Sequence, residues 1–566
     1  MLGVCLLLLA EAIGFQWSSG ALTSEFGGAP DEAAHYVTGL MIRDYLASLP
    51  DSEFRSPLRF AENYYLHYPK VAFGIWPPLF HLLLGVWMLV VSTSRFSALL
   101  LMAICTALLG ASVCQAVRRQ FGWPAGIAAG LLLVSLPSIQ ESGSMVMADM
   151  LVALLCFRAA QAYGRFLESE RWQDSARFGV DASLGLLTKY NALALAFVPI
   201  VALALTRRFR LLTRPQFWLG GLIVLALSGP WYFPMRQMVL YAAEPIPDRG
   251  LIPAVMVENL QKLAGLTGIG LFLLVAAGFV ATISGAFRGR RLEGQWAALA
   301  ALPACVWIFY SIFYPSIEVR YLLAAAPALL VFLVAGAARL AAWLPFRGWS
   351  VRGKARALAA VLLLVYAGET LALPEKRRHG FSEAAEFLLA RPELRQAAFL
   401  VSSEGEGEGM LIAEIAMREQ RPGHIILRAS KMLAKSTWMS QDYKLLYRGP
   451  DEIQAFLESI PVSIVVLDTA PGWLAMEHHR QLQRTVEAYP EKWALLRAWP
   501  QGPGGAAGPI RLYHLRAGGN RPPGPIRIDM SYTLKRFITS VDREVKPVGT
   551  GGEREGRRQY GEAAQP

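Results

Sequence analysis

The stretch TRRFRLLTR, Thr206–Arg214, sets four arginines between the apolar runs 190–206 and 216–234. An apolar run of about 20 residues is long enough to cross a bilayer. Arginine-rich short loops stay on the cytoplasmic side. The stretch therefore predicts two membrane helices joined on the inside, and it fixes the direction in which the rest of the chain is threaded.

The whole composition agrees. The chain has 566 residues, 54% of them hydrophobic and 17% charged, where soluble domains carry about a quarter charged residues. Mean hydropathy is +0.34. The net charge of +12 gathers in short loops between apolar runs: VRRQFGW (117–123), FRGRRLEG (287–294) and PFRGWSVRGKAR (345–356). Such placement orients membrane helices and gives no reason to expect a nucleic-acid partner. The five cysteines, Cys5, Cys105, Cys114, Cys156 and Cys305, lie in or beside apolar segments with no zinc or redox spacing.

Candidate spans are 2–18, 78–94, 97–117, 124–141, 149–167, 176–188, 190–206, 216–234, 267–287, 295–313, 321–344 and 356–373. The opening MLGVCLLLLAEAIGF lacks a basic n-region and an A-x-A-like cleavage site, so it reads as a helix and not as a signal peptide. Forward from the arginine loop, 235–266 is outside, FRGRRLEG inside, FYPSIEVRY (313–321) outside and PFRGWSVRGKAR inside. The segment 356–373 then delivers the C-terminal part to the outer face. Backward, Lys189 and Asp149 are outside. If 2–18 runs outward, all of 19–96 stays outside, and WPPLFHLLLGV lies in the interface or dips in and returns. The competing assignment makes 78–94 a crossing and flips the N-terminus or the arginine loop. The expected fold is thus an α-helical polytopic membrane protein with about eleven transmembrane helices plus interfacial helices. Residues 1–374 form the membrane domain, with an outer first loop at 19–96.

Ionisable residues near apolar spans are costly and tend to serve a cavity or a partner. On this threading they gather on the outer face: Asp31, Glu32 and His35 in PDEAAHY, Asp149 in SMVMADMLVALL, Lys189 in GLLTKYNAL, Glu258 in the 235–266 loop, and Arg320 with Tyr321 in PSIEVRYLL. Singly, Asp149 reads as a helix cap and Lys189 as a helix end. Together, carboxylates and cations from distant parts of the chain at one membrane level suit transfer from an anionic, lipid-linked donor to a hydroxyl or amine. Asp31 is the candidate general base. Arg320 and Lys189 are the candidate partners of a phosphate leaving group.

The ordered set PDEAAHY, WPPLFHLLLGV, ADMLVALL, GLLTKYNAL and EVRYLLAAAPALL resembles the polytopic glycosyltransferases of the C superfamily. The similarity is to the bacterial family-39-like type, which includes protein O-mannosyltransferases and lipid A aminoarabinose transferases, and it covers about residues 1–345. The resemblance implies an inverting transferase of the inner (plasma) membrane. It would use a polyprenyl-phosphate-sugar donor and a glycan, lipid or protein acceptor, with Asp31 as base. Asp149 would match the family's second outer acidic position, Lys189 its LTK lysine, and Arg320 with Tyr321 the segment near the donor phosphate. Some relatives carry an acidic residue just before the proline-led helix, where this chain has Ile75 and Trp76. No ligand set for a divalent metal, which some members need, is legible, although Asp31, Asp149 and Glu258 are candidates to meet in space.

From about 375 the pattern changes. AAFLVSS, HIILRAS, YKLLYRG and VSIVVLD read as strands, and GMLIAEIAMREQ, DEIQAFLESI and WLAMEHHRQLQRTVEAY as helices. Together they predict a soluble, extracytoplasmic α/β domain over 375–516. SSEGEGEG lacks nucleotide-loop spacing, and its three glutamates would repel phosphate. The segment 517–566 reads as a disordered tail. The rival function, a transporter or lipid flippase, expects internal repeats and helices broken at the midplane, and the sequence shows no repeat. A non-enzymatic scaffold would leave PDEAAHY unexplained.

Overall fold

The computed structural model describes residues 1–51, 56–242, 249–289, 291–314, 317–343, 348–350, 376, 379–395, 397–435, 443–469, 476–499, 510–516, 525–529 and 537–539, with a few single positions between 353 and 360. The membrane part runs α1 (Leu2–Ser18), α2 (Glu32–Ser48), α3 (Pro57–His67), α4 (Leu79–Val90), α5 (Arg95–Phe121), α6 (Trp123–Ser135), α7 (Pro137–Gly143) and α8 (Asp149–Ser169). It continues with α9 (Trp172–Thr188), α10 (Val198–Thr206), α11 (Pro215–Ala242), α12 (Ile252–Gly265), α13 (Ile269–Phe287), α14 (Gly294–Phe313) and α15 (Ala326–Trp343).

Among the described residues, six helices are long and apolar enough to cross a membrane. They become seven if α6 and α7, bent by 64° at Leu136, count as one span. The sequence suggested about eleven, and the difference has a physical basis. At 17 residues, α1 and α9 stand at the short end of the range that crosses a membrane, about 17–25 residues, and fall outside the six on length. Helix α9 also carries Asp174, Arg177 and Asp181. Segment 190–206 begins as a 3-10 turn at Tyr190–Ala196. Segment 78–94, which is not among the eleven, holds the 12-residue α4, about 18 Å long. The expected span 356–373 lies almost wholly outside the described residues.

Helices α5, α8, α14 and the 319–342 segment are mostly buried and form the centre, whereas α11 and α13 show most of their surface outward. Close helix approach relies on small residues, as expected where lipid removes the hydrophobic drive for association. A Cβ at Gly278 of α13 would collide with the carbonyl oxygen of Phe332, and one at Gly336 of α15 with that of Leu274.

The C-terminal part holds a five-stranded sheet in the order β2-β1-β5-β7-β6. Its strands are β1 (Ala398–Ser402), β2 (Ile425–Arg428), β5 (Val462–Asp468), β6 (Trp493–Trp499) and β7 (Ile510–Leu515). Strands β2, β1 and β5 are parallel, with Leu400 between Leu427 and Val465, and β7 and β6 are antiparallel additions. The expected strand at YKLLYRG shrinks to β4 (Lys444–Leu445), which pairs only with β3 (Ala434–Lys435) outside the main sheet. Strands β6 and β7 had no reading in the sequence. The expected disorder after 517 fails at Arg527–Asp529 and Phe537–Thr539, which pair antiparallel. The reason is burial: Ile526, Ile528 and Ile538 enter the core on one face of the sheet.

One hydrophobic core joins the first loop to this sheet. Tyr36, Val37, Leu40, Tyr64, Tyr68 and Phe80 pack with Phe381, Phe399, Val401, Met410, Leu411 and Ile415. Polar ties reinforce it. Arg421 Nε donates to Asp44 Oδ2 at 2.6 Å, and the Tyr68 hydroxyl donates to Glu419 at 2.6 Å. The Glu25 carboxylate accepts from the amides of His379 and Gly380 at 2.8 and 2.9 Å, and buried Arg95 pairs with buried Glu414. Gly336→Leu should push α13 and α15 apart and cost about 1–3 kcal/mol or more, as overpacking does. A thermal unfolding midpoint in detergent indistinguishable from wild type would refute this crossing.

Candidate active site

Asp31 is the N-cap residue of α2, fixed by a proline before it and by helix after it. Its side chain is 32% exposed, and one carboxylate oxygen lies 3.5 Å from Arg320 Nη2. Arg320 is buried on the 3-10 turn Val319–Ala325 that leads into α15. Glu318 holds its guanidinium from behind, accepting from Nε at 2.8 Å and Nη2 at 2.9 Å. A two-point grip fixes the plane of a guanidinium, so the arginine meets Asp31 with its orientation already set.

The second pair is deeper. Asp149 is the first residue of α8 and is 1% exposed. Lys189 closes α9 with extended backbone, φ −158°, which turns its side chain back. Lys189 Nζ donates to Asp149 Oδ1 at 2.7 Å. Between the pairs stands the Tyr321 ring, with Lys189 Nζ 4.9 Å and Arg320 Cζ 5.2 Å from its centroid, within cation–π range. Tyr310 and Tyr314 continue this aromatic wall. Among the described residues, Asp149 Oδ2 and the Tyr310 hydroxyl are buried without a hydrogen-bond partner. Buried polar atoms are rarely left so, and at a site they are the ones free to meet a substrate.

Asp31, Asp149, Lys189, Arg320 and Tyr321 are thus brought together. Three other residues singled out from the sequence have different surroundings. Glu32 is buried, and its two oxygens accept the amides of Gly28 at 2.8 Å and Val146 at 2.9 Å. It ties the loop before Asp31 to the segment before Asp149. His35 is buried against Trp76, with ring centroids 4.0 Å apart, and shares a 2.8 Å hydrogen bond with His81. Burial first, and the neighbouring His81 next, hold its pKa well below the usual histidine range. Glu258 pairs with Lys262 at 2.6 Å, and that lysine also donates to the Ile317 carbonyl at 2.7 Å. Glu258 therefore braces the segment that carries Glu318 and does not join the two pairs.

Four residues of the site were missed in the sequence. Glu318 sits two places before Arg320, at the N-cap of a 3-10 turn, where no strand period pairs them. Lys70, Glu404 and Glu406 come from the approach of the C-terminal helix Gly405–Arg418 to the first loop. Lys70 Nζ donates to the Gly405 carbonyl at 2.8 Å. A Cβ at Gly409 would come within 3.0 Å of Ala33 Cβ and 2.8 Å of Lys70 Cε, so the glycine at 409 lets this helix seat beside α2. Burial pushes the Lys70 ammonium down to about 7, with Arg428 adding to the effect while Asp31, Glu408 and Glu406 oppose it. Burial, then the adjacent Glu406, push Glu404 up to about 8.

Among the described residues, no three His, Cys, Asp or Glu side chains form a metal-ligand group. Asp31 faces Arg320, and Asp149 faces Lys189 through Oδ1.

With this geometry in view, comparison with known proteins is informative. Residues 76–233 match the family described as dolichyl-phosphate-mannose-protein mannosyltransferase. The fold matches ArnT from Cupriavidus metallidurans bound to undecaprenyl phosphate, with TM-score 0.58 and 15% identity, over 90% of this chain and 98% of that one. It also matches the oligosaccharyltransferase of Archaeoglobus fulgidus in the apo form, with TM-score 0.54 and 13% identity, over 90% and 74%. The archaeal oligosaccharyltransferase AglB from the same organism, in complex with an inhibitory peptide and a dolichol-phosphate, matches with TM-score 0.52 and 11% identity over the same shares. A search of curated proteins finds no sequence match. The family match covers 158 of the 566 residues, and the structural matches, at 11–15% identity, show that the chain shares the polytopic fold of these proteins.

Lys189→Met should strand the buried Asp149 charge and cost about 3–5 kcal/mol. Adding Asp149→Asn should recover part of the loss, and no recovery in the thermal midpoint would break the pairing. A second prediction concerns pH. A carboxyl whose folded pKa is raised favours the fold while protonated, and that contribution is lost as pH rises from its ordinary value towards the raised one. Wild-type stability should therefore carry a component that falls between about pH 4.5 and 8, and Glu404→Gln should flatten it. Superimposable stability–pH curves for the two proteins would refute the assignment.

Proposed function

We propose that the protein transfers a sugar from a polyprenyl-phosphate donor to an acceptor at the outer face of the plasma (inner) membrane, with inversion at the anomeric carbon. The Asp31–Arg320 juxtaposition at 3.5 Å carries this reading, because it sets a candidate base beside a candidate phosphate partner. The acceptor oxygen or nitrogen forms its bond to the anomeric carbon while Asp31 takes its proton. The bond from that carbon to the phosphate oxygen breaks, and the electron pair leaves with polyprenyl phosphate. A single displacement of this kind inverts configuration.

Arg320 and Lys189 meet the charge that develops on the leaving phosphate, where fixed donors at a partly dry site act most strongly. Asp149 and Glu318 keep those two cations oriented. Tyr310, Tyr314 and Tyr321 offer aromatic surface to the sugar or the first isoprene of the lipid. The undecaprenyl phosphate of the ArnT structure and the dolichol-phosphate of the archaeal structure support a lipid-phosphate donor for this chain too. The C-terminal domain, packed on the loop that holds Asp31, lies on the same outer side and borders the acceptor's path. A glycan, a glycolipid and a protein all remain acceptor classes that such a path suits.

Asp31→Asn should lower transfer by about 10²–10⁴-fold, the usual contribution of a general base, with the thermal midpoint unchanged. Arg320→Ala should lower it by roughly 10²–10³-fold. Transfer is followed with labelled polyprenyl-phosphate sugars in membranes, the sugar being chosen by mass analysis of lipid-linked sugars that accumulate in a deletion strain. Full activity of the Asp31→Asn protein would overturn the reading.

A further inference from the structure

At the end of the helix bundle away from Asp31 lies a second cavity, of about 550 Å³. Helix α15 leaves the Arg320 turn and reaches Arg339 after thirteen residues from Ala326, roughly 20 Å at helical rise. Helix α14 likewise carries Tyr310 near the site and Trp296 at the far end, and α5 ends there at Phe121. The walls of the cavity include Phe121, Trp296 and Ala338, and its rim includes Arg291, Arg339 and Glu293. Both arginines are exposed, and among the described residues neither has a carboxylate within ion-pair distance. Arg118 and Arg119 close α5 beside it.

Apolar walls between membrane helices with a cationic rim form the kind of pocket that holds an anionic lipid head group. The guanidinium suits phosphate because it offers paired donors. Tryptophan suits the same depth, since its ring is amphipathic and settles at the head-group level. The positive-inside pattern assigns this end to the cytoplasmic leaflet, which is the anionic one. Glu293 makes the rim less positive than two arginines alone would, but the balance remains cationic. The volume takes a head group and the first methylenes, with the acyl chains continuing into the bilayer.

We propose that this cavity binds an anionic phospholipid of the cytoplasmic leaflet, its phosphate between Arg291 and Arg339 and its glycerol end against Trp296. The site is separate from the sugar-transfer site and does not depend on that function. Its occupant bridges α5, α13, α14 and α15, so occupancy should stiffen the bundle.

The test uses the full chain in detergent with added phosphatidylglycerol, phosphatidylcholine or inorganic phosphate. Phosphatidylglycerol should raise the thermal midpoint saturably and stay bound in native mass spectrometry, and the other two should not. Each cation near an anionic membrane is worth roughly fivefold in affinity, so Arg291→Ala/Arg339→Ala should weaken phosphatidylglycerol binding by more than about tenfold. Ala338→Leu, which keeps both arginines and narrows the cavity, should also weaken it and covers the case of a double variant that fails to fold. Equal binding by wild type, double variant and Ala338→Leu would show unspecific annular lipid and overturn the proposal. Equal stabilisation by phosphatidylcholine or by inorganic phosphate would overturn it as well.

Discussion

The Lys189–Asp149 pair is the interaction on which the rest of the site depends. Both side chains are removed from water in a region where an unpaired charge would be untenable. Their contact pins the start of α8 to the end of α9. Glu32 then links the same neighbourhood to the Asp31 loop through the Val146 amide. Tyr321, lying against both Lys189 and Arg320, carries the arrangement to α15. Three separate parts of the chain are thereby held at one level. The exposed member, Asp31, needs little support of its own because every group around it is already fixed.

The same logic extends to the C-terminal part. Its sheet buries one face on helices of its own and the other, through the helix Gly405–Arg418, on the first loop. Gly409 is structural for that reason: a Cβ there would come within 3.0 Å of Ala33 Cβ on α2. What reads as a loop beside a soluble domain is one folded body, and Lys70, Glu404 and Glu406 belong to the site because of it.

Much of this was legible in the residues, and what was not has definite causes. The polytopic class followed from apolar runs and arginine loops. The cluster of Asp31, Asp149, Lys189 and Arg320 followed from threading them to one face. Where the apolar runs break did not follow, because apolarity alone does not mark the bend at Leu136 or the 190–196 turn. Strand β6 was hidden at a Trp- and Arg-bearing edge, where WALLRAW has no clean alternation, and β7 (IRLYHL) lies between it and β5. Glu32 read as one of the outer-face ionisable residues because sequence cannot show the nearby Gly28 amide and the distant Val146 amide claiming its oxygens. Glu318 and Lys70 acquire meaning only from contacts across the fold.

The tie between Arg421 and Asp44 spans 377 residues. At about 5–20 residues per second of synthesis, the first loop waits roughly 20–75 s for the helix and sheet that seat it. Through that interval the loop that carries Asp31 is without its finished surroundings. The last-made part of the chain therefore sets the moment at which the protein becomes competent. A chain halted before about residue 421 would sit in the bilayer with most of its membrane helices and no completed site.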